Sequence, residues 1–346
     1  MGLSRKIKVL VVDDSLVFRE TLARGMAQDF GIDVVGTAAD PFMARDKILE
    51  LEPDVMTLDV EMPKMNGIEF LKKLMPQYPL PVVVVSAASS NVLDALNAGA
   101  VDFVTKPDMT KSGGMSSFIN ELIIKIKIAS IAKVGNYKKE YAPFKQSLHT
   151  EFRRGMIIAI GASTGGTEAI YEVIKSFPRE MPGIVVVQHM PPVFTRMYAE
   201  RLNNTCQLEV KEAQDGDVVT PGRVLIAPGD FQMKVVRNGA NYFVKCYKGE
   251  KVSGHCPSVD VLFDSIAEAA GNQAIGAILT GMGSDGAKGL LNMKKKGAYT
   301  LGQDEKTCIV YGMPMVAFNI GAVQKQVPLN RMSEVICDLL MLRSGI

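Results

Sequence analysis

A chain of 346 residues, 47% hydrophobic and 22% charged, is long enough for two domains with full cores. Its formal net charge of +2 argues against an extended nucleic-acid footprint or a polybasic membrane anchor. Five widely spaced cysteines without a C-x-x-C pair argue against a disulfide framework or structural zinc, and no apolar run approaches the ~18 residues of a membrane span. The expectation is a soluble, cytoplasmic protein with reduced thiols and no membrane insertion.

In chain order, Lys8–Val12 reads as a short apolar strand running into Asp13 and Asp14, and the 3- and 4-spaced apolar residues from Leu16 to Phe30 read as a helix. "IDVVGTA" is a second strand, "PFMARDKILELE" a helix, and "DVMTLD" a third strand ending at Asp59. "VVVVSA" gives the fourth strand, with Ser86 at its end, and "DFVTKP" the fifth, with Lys106 at its end. Strands alternating with helices imply a parallel sheet with helices on both faces, and polar residues at its carboxyl edge line the ligand crevice. Asp13, Asp14, Asp59, Ser86 and Lys106 therefore converge. Three carboxylates at one edge need a cation, and an all-oxygen set favours a hard ion such as Mg²⁺. With the lysine and hydroxyl beside them, the set suits phosphoryl transfer onto one carboxylate. The alternative is a group of solvated loop ends.

"GGMSSFINELIIKIKIASIAKV", residues 113–134, carries helical apolar spacing, and 135–154 loses periodicity and reads as a linker. The linker contains His149 and a basic group, Lys138, Lys139, Lys145, Arg153 and Arg154, diluted by Glu140 and Glu151. The expected division is thus 1–134, linker 135–154, and a second domain over 155–346. There, "MIIAI" leads through a glycine turn into "TEAIYEVIKSF", and "GIVVVQH" is a strand ending at His189. A β-rich middle ("LEVKEA", "RVLIAP", "FQMKVVR", "NYFVKCY") frames a turn at Asn238-Gly239 and suggests an inserted antiparallel hairpin. Ser258 opens the helix "SVDVLFDSIAEAAG", and the strand "AIGAILT" leads toward Asp285.

The glycine turn Gly161-Ala162-Ser163-Thr164-Gly165 fits either a phosphate loop or a G-x-S-x-G nucleophile turn. A dinucleotide fingerprint would need glycine where Ser163 stands, and a P-loop would need a lysine, which is missing from 161–174. As a nucleophile, Ser163 gains from its neighbours. His189, one of three histidines, and Asp285 each follow a strand ending at the same edge, giving a base and a carboxylate to orient it. The chain order Ser–His–Asp differs from the Ser–Asp–His of ordinary α/β-hydrolases. His255-Cys256 forms a competing pair, but adjacent residues rarely face each other, so His255 reads as substrate-side or structural.

Two resemblances follow from these motifs. Asp13-Asp14, "LDVEMPKMNG", Ser86 and "GAVDFVTKP" resemble the receiver domain of two-component response regulators. That resemblance implies a flavodoxin-like, five-stranded parallel sheet with Asp59 as phospho-acceptor. It implies Mg²⁺ on Asp14 and Asp59, with Asp13 and the carbonyl of Glu61 assisting, Ser86 and Phe103 as switch residues, and Lys106 as the conserved-type lysine. Only about a dozen residues separate Ser86 from "GAVDF", so the helix there is expected to be trimmed by about a turn. "IGASTGGTEAI", "VQHMPPVFT", "IAPGDFQM", "PSVDVLFDSIA" and "LTGMGSDGAKG" resemble the catalytic domain of the chemotaxis protein-glutamate methylesterase family. This implies a doubly wound α/β methylesterase domain with Ser163 as nucleophile, His189 as base, Asp285 as its orienting acid, and Thr164 and Met282 shaping an oxyanion site. The implied substrates are glutamate methyl esters, and some glutamines, on chemoreceptors, with a chemotaxis histidine kinase as phosphodonor and no cofactor for the hydrolytic step. The domain order suggests a receiver that restrains the hydrolase until phosphorylated, in a monomer. A DNA-binding response regulator would need a basic helix-turn-helix after the linker, which is absent, and a phospho-dependent binding protein with a dead hydrolase domain would lack a triad member.

Overall fold

The computed structural model describes residues 5–63, 65–87, 91–107, 114–135 and 155–344. The chain divides into two compact units, Met1–Lys139 and Glu140–Ile346. Apart from Gly135, the expected linker lies outside the described residues, and with it His149 and the basic cluster from Lys138 to Arg154.

In the first unit, strands β1 (Ile7–Val12), β2 (Ile32–Ala38), β3 (Val55–Asp59), β4 (Val82–Ser86) and β5 (Asp102–Thr105) alternate with helices α1 (Leu16–Met26), α2 (Pro41–Leu51), α3 (Gly67–Leu74), α4 (Val92–Asn97) and α5 (Gly114–Ala129). All pairings are parallel, in the order β2-β1-β3-β4-β5. β3 and β4 are buried along their whole length, as expected of a sheet covered on both faces. Side-chain caps start the helices: Ser15 accepts from the Phe18 amide, Asp40 from Phe42 and Met43, and Asn66 from Glu69. Two expected helices end early. α1 stops at Met26, because the Asp29 carboxylate accepts from the Gly31 amide and turns the chain into β2, leaving Phe30 94% exposed. α5 stops at Ala129, short of residue 134. α4 spans only six residues, in line with the short segment after Ser86.

The second unit runs β6 (Ile157–Ala162), α6 (Gly166–Ile174), β7 (Gly183–Gln188), α7 (Phe194–Thr205), β8 (Glu209–Glu212), β9 (Val218–Val219), β10 (Arg223–Ile226), β11 (Gln232–Asn238), β12 (Asn241–Tyr247), α8 (Val259–Ala269), β13 (Ala274–Ile278), α9 (Ala287–Lys295), β14 (Tyr299–Gln303), α10 (Met313–Asn319), β15 (Lys325–Val327) and α11 (Leu329–Ser344). A seven-stranded parallel sheet has the order β15-β14-β13-β6-β7-β10-β8. β6, β7 and β13 are buried at every position, so their apolar runs form the floor of the core. The chain leaves β6 toward β7 on one side and later returns to build β13, β14 and β15 on the other. The strand order thus reverses at β6, where a parallel sheet opens its crevice.

The β-rich middle is divided between two sheets. β8 and β10 join the parallel sheet, while β11, β12 and β9 form a separate antiparallel sheet, so the insertion is three strands rather than a hairpin alone. Asn238 pairs with Asn241, which moves the tight turn one residue on, to Gly239-Ala240, with Gly239 at φ 60°. Helix α8 buries Val259, Leu262, Phe263 and Ile266, a 3–4 spaced stripe; each contributes roughly 1.5–3 kcal/mol of burial. Its Ser265 hydroxyl also accepts from the Val235 amide of β11.

Candidate functional site

Each unit places polar residues at the carboxyl end of its parallel sheet. In the first, Asp13 follows β1, Asp59 ends β3, Ser86 ends β4 and Lys106 follows β5. Asp13 and Asp59 are buried and Asp14 is exposed, and one oxygen of each lies within 4.8 Å of the others. The Lys106 ammonium bridges the two buried acids, 2.7 Å from Asp13 Oδ2 and 2.6 Å from Asp59 Oδ2. Its backbone amide donates to the Ser86 carbonyl, tying the ends of β4 and β5. The Glu61 amide donates to Asp59 Oδ1 at 3.1 Å. Burial pushes the Asp59 carboxyl above its ordinary value; Lys106 and the Glu61 amide pull it down, Asp13 pushes it further up, and the net shift is upward. Lys106 is itself held above its ordinary value, because the two acids outweigh the cost of its burial. The oxygen-only donor set fits a hard divalent cation on Asp13, Asp14 and Asp59.

Phe103 lies inside β5, buried rather than at the edge. Sequence reasoning missed two neighbours on α1. Arg19 donates from a buried guanidinium to the carbonyls of Asp13 and Asp14, and the Phe18 ring carries the Lys106 ammonium 4.7 Å from its centroid. Their signal was position, within the first turn of the helix that follows the acidic pair.

In the second unit the register pairs Ala162 with Gln188, so Ser163 and His189 emerge side by side from adjacent strands. The His189 amide donates to the Ala162 carbonyl, extending that ladder by one rung. The Ser163 turn is held from beneath: its amide donates to the Thr280 carbonyl, and the buried Gln188 amide donates to the carbonyls of Ser163 and His189. Thr280 Oγ1 donates to the carbonyl of Thr164, which is buried. Gly165, at φ 76°, caps α6 with its backbone against Ile309, where a Cβ would come within 2.5 Å of Cγ1. Gly281 packs on the Ser163 turn, where a Cβ would meet Ser163 Cβ at 2.6 Å. The next residue, Met282, is exposed, and its amide has no acceptor among the described residues.

His189 Nε2 donates to Asp285 Oδ2 at 2.8 Å, with the His189 ring 8% exposed and Asp285 1%. Nδ1 of His189 is buried and has no partner among the described residues. Asp285 Oδ2 also accepts the Val259 amide at 2.7 Å, and Oδ1 accepts the Ser258 hydroxyl at 2.8 Å and the Asp260 amide at 3.0 Å. Four donors thus meet one carboxylate at the N-terminus of α8, where the helix dipole favours an anion. Burial alone would push the Asp285 carboxyl up; the hydrogen bond and charge of His189, helped by the α8 amides, hold it below its ordinary value. Asp285 is therefore ionised, which makes His189 Nε2 the protonated nitrogen and leaves Nδ1 as the basic one.

The sequence showed Ser258 only as the cap of α8; that role holds, with the Val261 amide at 3.4 Å, but its hydroxyl also donates to Asp285. The competing dyad does not form. The Cys256 thiol lies 3.8 Å from the Gly249 carbonyl, burial pushes it above its ordinary value, and the His255 ring lies against His189 instead. No disulfide joins any of the five cysteines.

The first unit has the fold and acidic pocket of a phosphoryl-accepting regulator, and the second has the serine, imidazole and carboxylate of an ester hydrolase. Comparison with known proteins agrees. The response regulator receiver domain family matches residues 9–112, and the CheB methylesterase family matches 158–336. The chain is 61% identical to a protein-glutamate methylesterase/protein-glutamine glutaminase of Syntrophomonas wolfei, covering 97% of this chain and 98% of that one. It is 54% identical to the enzyme of that name from Syntrophotalea carbinolica, covering 97% and 98%. The crystal structure of the Thermotoga maritima CheB methylesterase catalytic domain, 40% identical, superposes over 54% of this chain and all of its own with a TM-score of 0.53. The chain belongs to the protein-glutamate methylesterase/protein-glutamine glutaminase family.

Proposed function

We propose that this protein hydrolyses glutamate methyl esters on chemoreceptors, and deamidates glutamines there, under control of phosphorylation at Asp59. The observation that carries the catalytic half is the His189–Asp285 pair, whose remaining ring nitrogen is buried and has no partner among the described residues, at the end of the strand next to Ser163. His189 Nδ1 takes the Ser163 proton as Oγ attacks the γ-carbonyl of the glutamyl ester. The amide of Met282 and the turn at Thr164 receive the negative oxygen of the tetrahedral intermediate. The intermediate collapses to an acyl-enzyme, His189 returns the proton to the departing methoxide, and methanol leaves. Water, deprotonated by the same nitrogen, then frees the glutamate. With a glutamine substrate the same steps release ammonia.

In the receiver, Asp59 is the phospho-acceptor. Asp13, Asp14, Asp59 and the Glu61 carbonyl would hold Mg²⁺, which neutralises charge on the transferred phosphoryl group. Lys106 supplies a second positive charge there, and Ser86 and Phe103 sense the modification. A chemotaxis histidine kinase is the phosphodonor, and the protein acts as a cytoplasmic monomer; no helix among the described residues is long and apolar enough to cross a membrane. Methanol release from methylated receptor, with and without a small-molecule phosphodonor, tests both halves. Wild-type protein should release methanol faster with the phosphodonor, and Ser163→Ala should release none; undiminished release by that variant would refute the nucleophile.

A further inference from the structure

The single hydrogen bond from His189 Nε2 to Asp285 fixes one edge of the imidazole but not the tilt of its plane. Nδ1 has no partner among the described residues that could fix the other edge. What meets the ring is the face of His255, with centroids 3.6 Å apart and planes 10° from parallel. That is the contact thickness of two flat rings.

His255 is itself firmly placed. Val252 and His255 exchange backbone hydrogen bonds at 3.0 and 2.9 Å across a two-residue turn, Ser253-Gly254, whose φ values of 52° and 86° are both left-handed. Ser253 Oγ donates to Asp260 Oδ2 at 3.0 Å. The side chain of Gln232, 1% exposed, donates to the His255 carbonyl at 3.2 Å and accepts the Ser258 amide at 2.9 Å. One stretch, residues 255–260, therefore supplies the ring against His189 and three donors to Asp285.

We propose that His255 is a positioning residue for the hydrolysis: its ring fixes the plane of His189 so that Nδ1 is presented to Ser163, and its π-face supports the imidazolium that forms when that proton is taken. Two neutral aromatic rings prefer an offset or edge-on approach to a parallel stack. A cation gains from face-on contact with an aromatic ring, so the observed stack also suits the imidazolium that forms on His189. The proposal rests on His189 being the base assigned under Proposed function.

The test compares His255→Ala with His255→Phe, which keeps a flat neutral ring, in steady-state methanol release from methylated receptor. The expected result is a kcat about tenfold lower for Ala with KM unchanged, and a Phe variant within about threefold of wild type. A wild-type kcat in the Ala variant, or a raised KM with kcat intact, overturns the proposal. A Phe variant as slow as a folded Ala variant does so as well, since it would mean that a polar atom of His255 acts rather than its ring. If the Ala variant does not fold, the Phe variant decides alone: near-wild-type kcat supports the ring and a tenfold loss overturns it. A second readout does not depend on turnover. The chain has three histidines, so the ring N–H of His189 can be followed by histidine-selective ¹⁵N NMR. Its protection from exchange should persist in the Phe variant and fall in the Ala variant; unchanged protection in the Ala variant counts against positioning. Wild-type protein that releases no methanol while the ring signal behaves as expected would fault the assigned activity and not the stack.

Discussion

Asp59 and Asp285 both sit at the carboxyl end of a parallel sheet, both almost fully buried, yet their surroundings push them in opposite directions. Asp59 faces a second acid and shares one lysine with it, and burial wins, raising its carboxyl. Asp285 receives two helix amides, a hydroxyl and an imidazole, and these outweigh burial. The first carboxylate is left short of positive charge, a state that invites a metal ion and an incoming electrophile. The second has all it needs and stays a fixed anion. Under the proposed function, identical side chains thus become a reagent and an anchor through their donors alone.

Removing the anchor should have the largest effect. Asp285→Asn turns an acceptor toward His189 into a group that can present N–H, disturbing the tautomer that keeps Nδ1 basic. A loss of about 10³–10⁴-fold in kcat is expected in methanol release. Next comes the donor set. Ser258→Ala removes one of four donors and the α8 cap together, so about tenfold in kcat and about 1 kcal/mol of stability should go, measured by kinetics and urea unfolding. On the reagent side, chelating divalent ions, or Asp59→Asn, should abolish the increment produced by a phosphodonor while leaving the basal Ser163-dependent rate; an increment of tenfold corresponds to about 1.4 kcal/mol.

The smallest effect concerns pH. Asp59 has a raised folded value, so its ionisation costs stability once pH exceeds its unfolded value of 3.8, and the cost is relieved on acidification. Asp285 has a lowered one, so its contribution is present above 3.8 and is lost as pH falls through the lower folded value. Asp59→Asn should therefore raise the melting temperature of the receiver at pH 7 and not below pH 4, as read by calorimetry. A lower melting temperature at pH 7 would mean that Lys106, left with Asp13 alone, dominates the pocket.

Much of this was readable from the sequence because strand ends carry the chemistry. An apolar run followed by Asp13, Asp59, Ser163 or His189 marks both the strand and the edge that it feeds. Helix ends were less legible where local turn chemistry intervened: Phe30 continues the apolar spacing of α1, but Asp29 and Gly31 have already turned the chain. The insertion was legible as strands but not as sheets, since pairing β8 and β10 with the core and β9 with β12 is a long-range choice. The contacts of Ser258, Gln188 and His255 escaped because each reaches a residue distant in sequence. Gln188 looks like the end of a strand, and nothing local reveals that its amide ties Ser163 to His189.

Because Asp285 is held by the first turn of α8, its setting lasts only as long as that turn stays wound. The amides of Val259 and Asp260 are themselves the ligands of the carboxylate. A brief local opening there would release the anion without unfolding the sheet, and each opening would expose those amides to solvent. Hydrogen–deuterium exchange at two backbone positions should then report the fraction of time during which the enzyme is switched on.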